Sequence, residues 1–245
     1  IQSFNDQLLQ LVGRRHSAEQ AIQAVKTAQT EGICNISIDL MYALPGQTMA
    51  EWQADIAQAL ALHVPHISSY GLIYEEGTPL TQCLEQGKIT AIDEEHEMQM
   101  YDYLVEQLTK HGYEHYEVSN FGLPGQHSKH NSSYWNDTPY LGLGAGAHSY
   151  DGNMRWWNIA DVDTYISQAM SHQLRPEQEV ISAAERHMEQ VMLGLRTNKG
   201  VPCHAVDMDK AQAYIAEGYL RLSGEQVVAT TQGYHILNRI IEDLL

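Results

Sequence analysis

One carboxylate lies inside an otherwise uncharged segment, and its position indicates ligand chemistry. In the segment Ser37–Tyr42, Ile38 and Leu40 share one face of a predicted strand, and Asp39 points to the other face. Folds that alternate strands and helices place ligand-binding groups near the carboxyl ends of parallel strands. Asp39 is therefore predicted to face a ligand. An Asp that caps a helix or braces a loop is the alternative.

The residues after this strand predict a turn that leads into a helix. Pro45 and Gly46 break the strand. A capping box follows, in which a hydroxyl and an amide or carboxylate three residues later satisfy backbone N–H groups at a helix start. The same spacing occurs three times, at Ser17 with Gln20, Thr48 with Glu51, and Ser182 with Glu185.

Composition excludes several classes of protein. The formal net charge of -17 disfavours a nucleic acid partner, because a phosphate backbone requires concentrated Lys and Arg. No apolar run approaches the roughly 20 residues that a membrane span needs. Three scattered cysteines argue against a disulfide framework and are typical of a reducing compartment, so a cytoplasmic location is expected. The 13 histidines are mostly dispersed and do not imply a metal site by number alone.

Helices and strands alternate over the first half of the chain. Apolar periodicity predicts helices over residues 17–31, 49–63 and 94–111, and strands over residues 37–42, 67–74 and 113–121. This order predicts parallel strands joined by crossover helices. The fold class is therefore α/β, with part of a (β/α) TIM-like barrel whose cavity side is open.

The pattern changes in the second half. Residues 141–150 and 154–157 predict two short strands, with His148 as a buried core histidine, and residues 173–179 predict a linker. A helix, two strands and a helix over residues 207–245 have the order of a winged helix, but acidic residues there disfavour DNA. We therefore predict two domains: residues 1–172, a barrel part with added strands, and residues 173–245, a winged-helix-like packing or partner-docking module.

Several segments resemble, in order, signatures of the coproporphyrinogen III oxidase-like family of radical S-adenosylmethionine (SAM) proteins. The matching segments are residues 1–5, 8–16, 37–48, 116–121, 130–135 and 142–149. One departure is Ala43, where the family usually has Gly. The His-Asn-x-x-Tyr-Trp pattern of residues 130–135 resembles the HemW type of this family, a haem-binding subfamily. The resemblance implies a radical SAM type of barrel.

The resemblance implies that Gln2, Arg14 and Asp39 contact SAM. Their chemistry suits this role, because Arg pairs with a carboxylate, and Asp or Gln bonds hydroxyl or amine groups. Arg14 is preferred to Arg15 on the register of the motif. A surface salt bridge is the alternative for Arg14.

His130 is the candidate haem ligand. Neutral imidazole is a common axial ligand of haem iron, and Tyr134 with Trp135 offers flat apolar surface to a porphyrin. His127, one turn away if the segment is helical, is a weaker candidate. The alternative is that His130 and Asn131 form hydrogen bonds within a loop at the barrel mouth.

The family also holds a 4Fe–4S cluster with three closely spaced cysteine thiolates. Here Cys34, Cys83 and Cys203 are far apart and are interpreted as structural or incidental. The chain also begins inside a motif, without Met. We therefore expect a fragment whose cluster ligands lie upstream, and which alone holds no cluster and cleaves no SAM.

Three functions remain for comparison. The first is a haem-binding chaperone, for which haem or porphyrin and respiratory proteins that receive haem are the implied partners. The second is an oxygen-independent coproporphyrinogen III oxidase, in which a radical generated from SAM decarboxylates propionate side chains. The third, a metal-assisted barrel hydrolase, fails because no His-x-His or His-x-x-x-His pair follows a predicted strand.

Overall fold

A computed structural model describes all residues, 1–245, and divides into two compact units, Ile1–Ser128 and Lys129–Leu245. The predicted domain boundary at 172/173 lies inside the second unit and stays a prediction. None of the helices combines the length and apolar character that crossing a membrane requires.

The first unit contains one four-stranded sheet and five helices. Its helices are α1 (Asp6–Leu11), α2 (Ala18–Thr30), α3 (Met49–Ala61), α4 (Pro79–Glu85) and α5 (Glu94–Lys110). Its strands are β1 (Ser37–Tyr42), β2 (His66–Gly71), β3 (Glu114–Glu117) and β4 (Asn120–Gly122), in the order β1-β2-β4-β3. The parallel pairing of β1 with β2, connected through α3, confirms the predicted crossover.

Local sequence determines where these helices begin. The capping boxes at Ser17 and Thr48 are both present, as predicted. In β1 the alternation is also confirmed, because Ile38 and Leu40 are buried and Asp39 is exposed. The apolar side of the sheet packs against α3 and α5, and Trp52 of α3 is fully buried there.

The predicted single strand over residues 113–121 is wrong. The chain turns between β3 and β4, and β4 runs antiparallel to both β2 and β3. Polar residues at the turn provide the reason: the backbone N–H of Ser119 donates to the Glu117 carboxylate at 3.3 Å, and Asn120 also donates to it. Short polar side chains of this kind favour turns over a continued strand.

The second unit contains two three-stranded antiparallel sheets. Its helices are α6 (Lys129–Trp135), α7 (Val162–Met170), α8 (Ala183–Gly194), α9 (Met208–Ala216), α10 (Thr231–His235) and α11 (Leu237–Leu244). Its strands are β5 (His148–Tyr150), β6 (Met154–Trp157), β7 (Glu177–Val180), β8 (Val201–Pro202), β9 (Leu220–Ser223) and β10 (Gln226–Ala229). The sheet orders are β5-β6-β7 and β8-β10-β9.

The winged-helix order is present, and the capping box at Ser182 begins α8 as predicted. An apolar cluster that includes Val191, Val227 and Ile240 forms the core of this part. Two expectations are wrong. The predicted linker contains β7, which pairs with β6. His148 is exposed rather than buried, and its ring stacks on that of Trp157 with centroids 5.6 Å apart.

Candidate functional site

The segment before α1 lies beside β1 and fixes Gln2 next to Asp39. The Gln2 N–H donates to the Asp39 carbonyl at 2.7 Å, and the Met41 N–H donates to the Gln2 carbonyl at 2.8 Å. Gln2 adopts a φ of 83°, which non-glycine residues rarely accept. Its side-chain Oε1 is buried without a hydrogen-bond partner. A buried acceptor without a partner is costly, so this atom is available to a ligand that donates a hydrogen bond.

Arg14 lies near the same segment. His16, two residues after Arg14, contacts this segment, because its Nε2 lies 3.2 Å from the Ile1 carbonyl oxygen. The side chains of Arg14 and Asp39 are exposed. The structure therefore holds the backbone of Gln2 against that of Asp39, and the segment that follows Arg14 lies beside residue 1.

Asp39 belongs to a polar face that crosses the sheet. Residues paired in register project to the same side of a sheet, and Asp39 pairs with Ser68 of β2. Ser68 Oγ donates to Asn120 Oδ1 of β4 at 2.6 Å, and Asn120 in turn donates to Glu117. Four polar residues, one on each of the four strands, thus continue the face from the exposed Asp39 carboxylate into the interior.

His66 connects the same face to the matching segment of residues 116–121. Its Nδ1 lies 2.7 Å from Ser37 Oγ, and its Nε2 lies 2.8 Å from the Tyr116 hydroxyl. Burial lowers the pKa of His66, and Asp39 acts in the opposite direction. Burial raises the pKa of Tyr116 to about 12. His66 is therefore neutral near pH 7 and bridges two hydroxyl groups.

Glu117 is a buried carboxyl group on this face. It is 1% exposed, and burial raises its pKa, while hydrogen bonds from Asn120 and Ser119 lower it. Sequence reasoning missed His66, Ser68 and Glu117 as parts of the site. His66 and Ser68 alternate with the apolar Ile67 along β2. This alternation in the sequence could have identified both residues as members of the polar face.

The His-Asn-x-x-Tyr-Trp segment, residues 130–135, lies on α6. His130 and Tyr134 are four residues apart, so they share one face of the helix. Their rings meet edge to face with centroids 5.1 Å apart, and Tyr134 similarly meets Tyr140 at 5.0 Å. His130 and Tyr134 are exposed, and Trp135 is half-buried. Because the segment is helical, the loop alternative for His130 does not describe it.

His127 is the less available imidazole of this region. Its Nε2 lies 2.6 Å from Glu114 Oε2, and its ring stacks on Tyr116 with centroids 4.1 Å apart. A ring nitrogen that is already paired with a carboxylate is a weaker candidate for an iron ligand than the exposed imidazole of His130.

The cysteines do not form a cluster site. Cys34 precedes β1, Cys83 lies in α4, Cys203 lies in a 3-10 turn of the second unit, and all three are free. No three His, Cys, Asp or Glu side chains are grouped so that they could hold a metal ion. The residues of this chain therefore do not fit a 4Fe–4S cluster by themselves.

Three relatives found by comparison with known proteins share one name. No protein-family model matches the chain. The heme chaperone HemW of Lactococcus lactis subsp. lactis is 36% identical over all of this chain and 67% of that protein. The heme chaperones HemW of Bacillus subtilis and Synechocystis sp. are 37% and 38% identical over 82% of this chain, and over 53% and 50% of their own lengths. The chain thus spans about half to two thirds of these relatives.

A solved structure shows the same fold. Coproporphyrinogen III oxidase (HemN) from Escherichia coli, a radical SAM enzyme, matches with a TM-score of 0.76 over 99% of this chain and 62% of that chain. The sequence identity is 18%, so the likeness concerns the fold alone. It confirms the predicted class, an α/β partial barrel with a winged-helix-like part.

Proposed function

We propose that this chain, which belongs to the family of the heme chaperone HemW, binds haem through α6 of its second unit and contacts SAM through its first unit. In this proposal the whole protein holds haem for transfer to respiratory haem proteins. SAM and a 4Fe–4S cluster are its further cofactors, and the cluster requires thiolates beyond those of this chain.

The observation that carries the haem proposal is the exposed imidazole of His130 beside aromatic rings. Tyr134 holds the His130 ring edge to face, and the row of rings continues through Tyr140 to Tyr150, whose centroids lie 6.1 Å apart. An imidazole can donate its nitrogen lone pair to iron, and aromatic faces cover the apolar macrocycle. α6 supplies both on one exposed surface.

The SAM proposal rests on Gln2, Arg14 and Asp39. Arg14 pairs with the carboxylate of the amino acid group of SAM, and Asp39 accepts hydrogen bonds from its hydroxyl or amino groups. The unpartnered Gln2 Oε1 is a second acceptor. In this proposal these groups bind and orient the molecule, and the exposure of Asp39 on β1 supports a site beside the sheet.

Replacing His130 by alanine tests the haem proposal. We expect haemin affinity to fall about tenfold, with a changed Soret band, because a bond to the iron is lost. His130 is exposed, so the melting temperature stays close to that of the unchanged protein. Haemin titration followed by absorbance, together with thermal unfolding, measures both quantities.

His187→Ala is the matched control, since His187 is an exposed histidine on α8 of the same unit. An unchanged Soret band and affinity in folded His130→Ala protein would assign His130 to a structural role. If full-length protein decarboxylates coproporphyrinogen III, the oxidase function replaces the chaperone proposal.

Separate alanine substitutions of Arg14 and of its neighbour Arg15 test the SAM proposal. Arg14→Ala should weaken SAM binding about tenfold, the value of one charge-assisted pair, whereas Arg15→Ala should change it little. Both side chains are exposed, so neither change should affect folding. Isothermal titration of the full-length protein with SAM compares the two. Equal affinities in both variants would contradict the assignment.

A further inference from the structure

A cavity of about 330 Å³ lies in the second unit, where the end of α6 meets α8 and β8. Trp135 of the signature segment forms part of its wall. Leu193, Val201, Pro202 and Ala205 contribute apolar surface. This volume is at the low end of the range for small-ligand sites, about 300–1,000 Å³.

The floor of the cavity is closely packed. A Cβ atom on Gly194 would lie 2.4 Å from Val201, and one on Gly200 would lie 2.2 Å from the Val227 carbonyl oxygen. Gly194 therefore allows α8 to approach β8, and Gly200 allows the residue before β8 to approach β10. Because Val201 is 2% exposed and belongs to the core of this unit, the cavity rests on a fixed part of the fold.

Most charged side chains around the cavity already have partners. Both guanidinium nitrogens of Arg155 donate to Glu189, at 3.0 and 3.1 Å. Arg186 donates to the Tyr150 hydroxyl at 3.1 Å and lies 3.6 Å from Asp137. These pairs satisfy the charges at the wall, so none of them requires a ligand of opposite charge.

His204 is the side chain at the cavity that has no such partner. It lies in the 3-10 turn Cys203–Ala205, lines the cavity, and is exposed. No hydrogen bond, ion pair or ring contact engages its imidazole. A cavity with apolar surface and an indole, bordered by one free imidazole, suits a flat apolar ligand that carries a metal.

We propose that this cavity receives the apolar edge of haem, with Trp135 against the macrocycle and His204 as a ligand to the iron. The inference rests on the proposed haem-binding function and adds a ligand, His204, that lies outside the signature segment. Lys199, whose Nζ lies 3.0 Å from Oδ1 of the cavity residue Asn136, supplies a cation for a propionate group at the rim.

Titration of full-length protein with two porphyrins tests the role of His204. His204→Ala should weaken haemin binding about tenfold and shift the Soret band, because an iron ligand is lost. The same variant should bind iron-free protoporphyrin IX as tightly as the unchanged protein, since that molecule has no metal to ligate. His187→Ala should match the unchanged protein with both probes.

The outcomes separate this inference from the proposed function. Unchanged haemin affinity in His204→Ala, in a protein that binds haemin, overturns the inference and leaves the haem proposal standing. Equal weakening of both porphyrins overturns the ligand role, because a wall residue would affect both probes alike. If the protein without any substitution fails to bind haemin, both the His204 inference and the haem-binding proposal are overturned.

Discussion

Replacing Trp52 by alanine is expected to lower the free energy of unfolding by about 4 kcal/mol, within the range for deletion of a buried large aromatic side chain. Trp52 is fully buried between the sheet and α5. Its indole N–H donates to the Met100 carbonyl at 2.8 Å, and its ring lies 5.7 Å from that of Tyr42. The variant loses this packing and leaves a cavity at the centre of the first unit.

Urea unfolding measures the loss, and hydrogen exchange locates it in residues 1–128. Trp52→Phe keeps most of the ring packing and loses the hydrogen bond, so it should cost about 1–2 kcal/mol. Trp157→Ala deletes the same side chain at a half-buried position and should cost less than Trp52→Ala. Similar losses for Trp52→Ala and Trp157→Ala would refute the account of the core.

Replacing Asp55 by alanine should cost about 3 kcal/mol and weaken SAM binding. Asp55 is 2% exposed and accepts hydrogen bonds from Ser3 Oγ and the Phe4 N–H, both at 2.7 Å. Its removal leaves two donors without their acceptor, at about 1–3 kcal/mol for each buried group. The same bonds anchor the segment that carries Gln2, so Asp55 is a positioning residue for the proposed SAM site.

Asp55→Asn provides the graded control, since its amide oxygen can accept from one of the two donors and its NH2 group from neither. Urea unfolding should place it between the unchanged protein and Asp55→Ala, and isothermal titration should give the same order for SAM affinity. A stable Asp55→Ala protein with unchanged affinity would show that the segment before α1 is held by other contacts.

Segments that depend on near neighbours were predictable from sequence. The capping boxes at Ser17, Thr48 and Ser182 are all present, because each is a contact between residues three apart. The alternation around Asp39 was also predictable, since successive side chains of a strand face opposite sides. The family was recognised from short signature segments, and the relatives confirm it.

Features that depend on distant partners were not predictable. Asp55 lies on the apolar face of α3. A carboxylate is explained there only by the hydrogen bonds that it accepts from Ser3 and Phe4, which are more than 50 positions away in the sequence. The bond between Ser68 and Asn120 likewise joins residues 52 apart. Nothing in the local pattern of either strand specifies that pairing.

The sequence by itself determined the helix starts, the β1 alternation, the winged-helix order and the family. Only the tertiary structure decided that residues 114–122 form a hairpin against β2, that the polar face extends from Asp39 to Glu117, and that His204 shares a cavity with Trp135. The physical reason is the range of the interactions. Caps and alternation are satisfied within one turn or one strand, whereas strand order and cavities depend on which distant segments pack together.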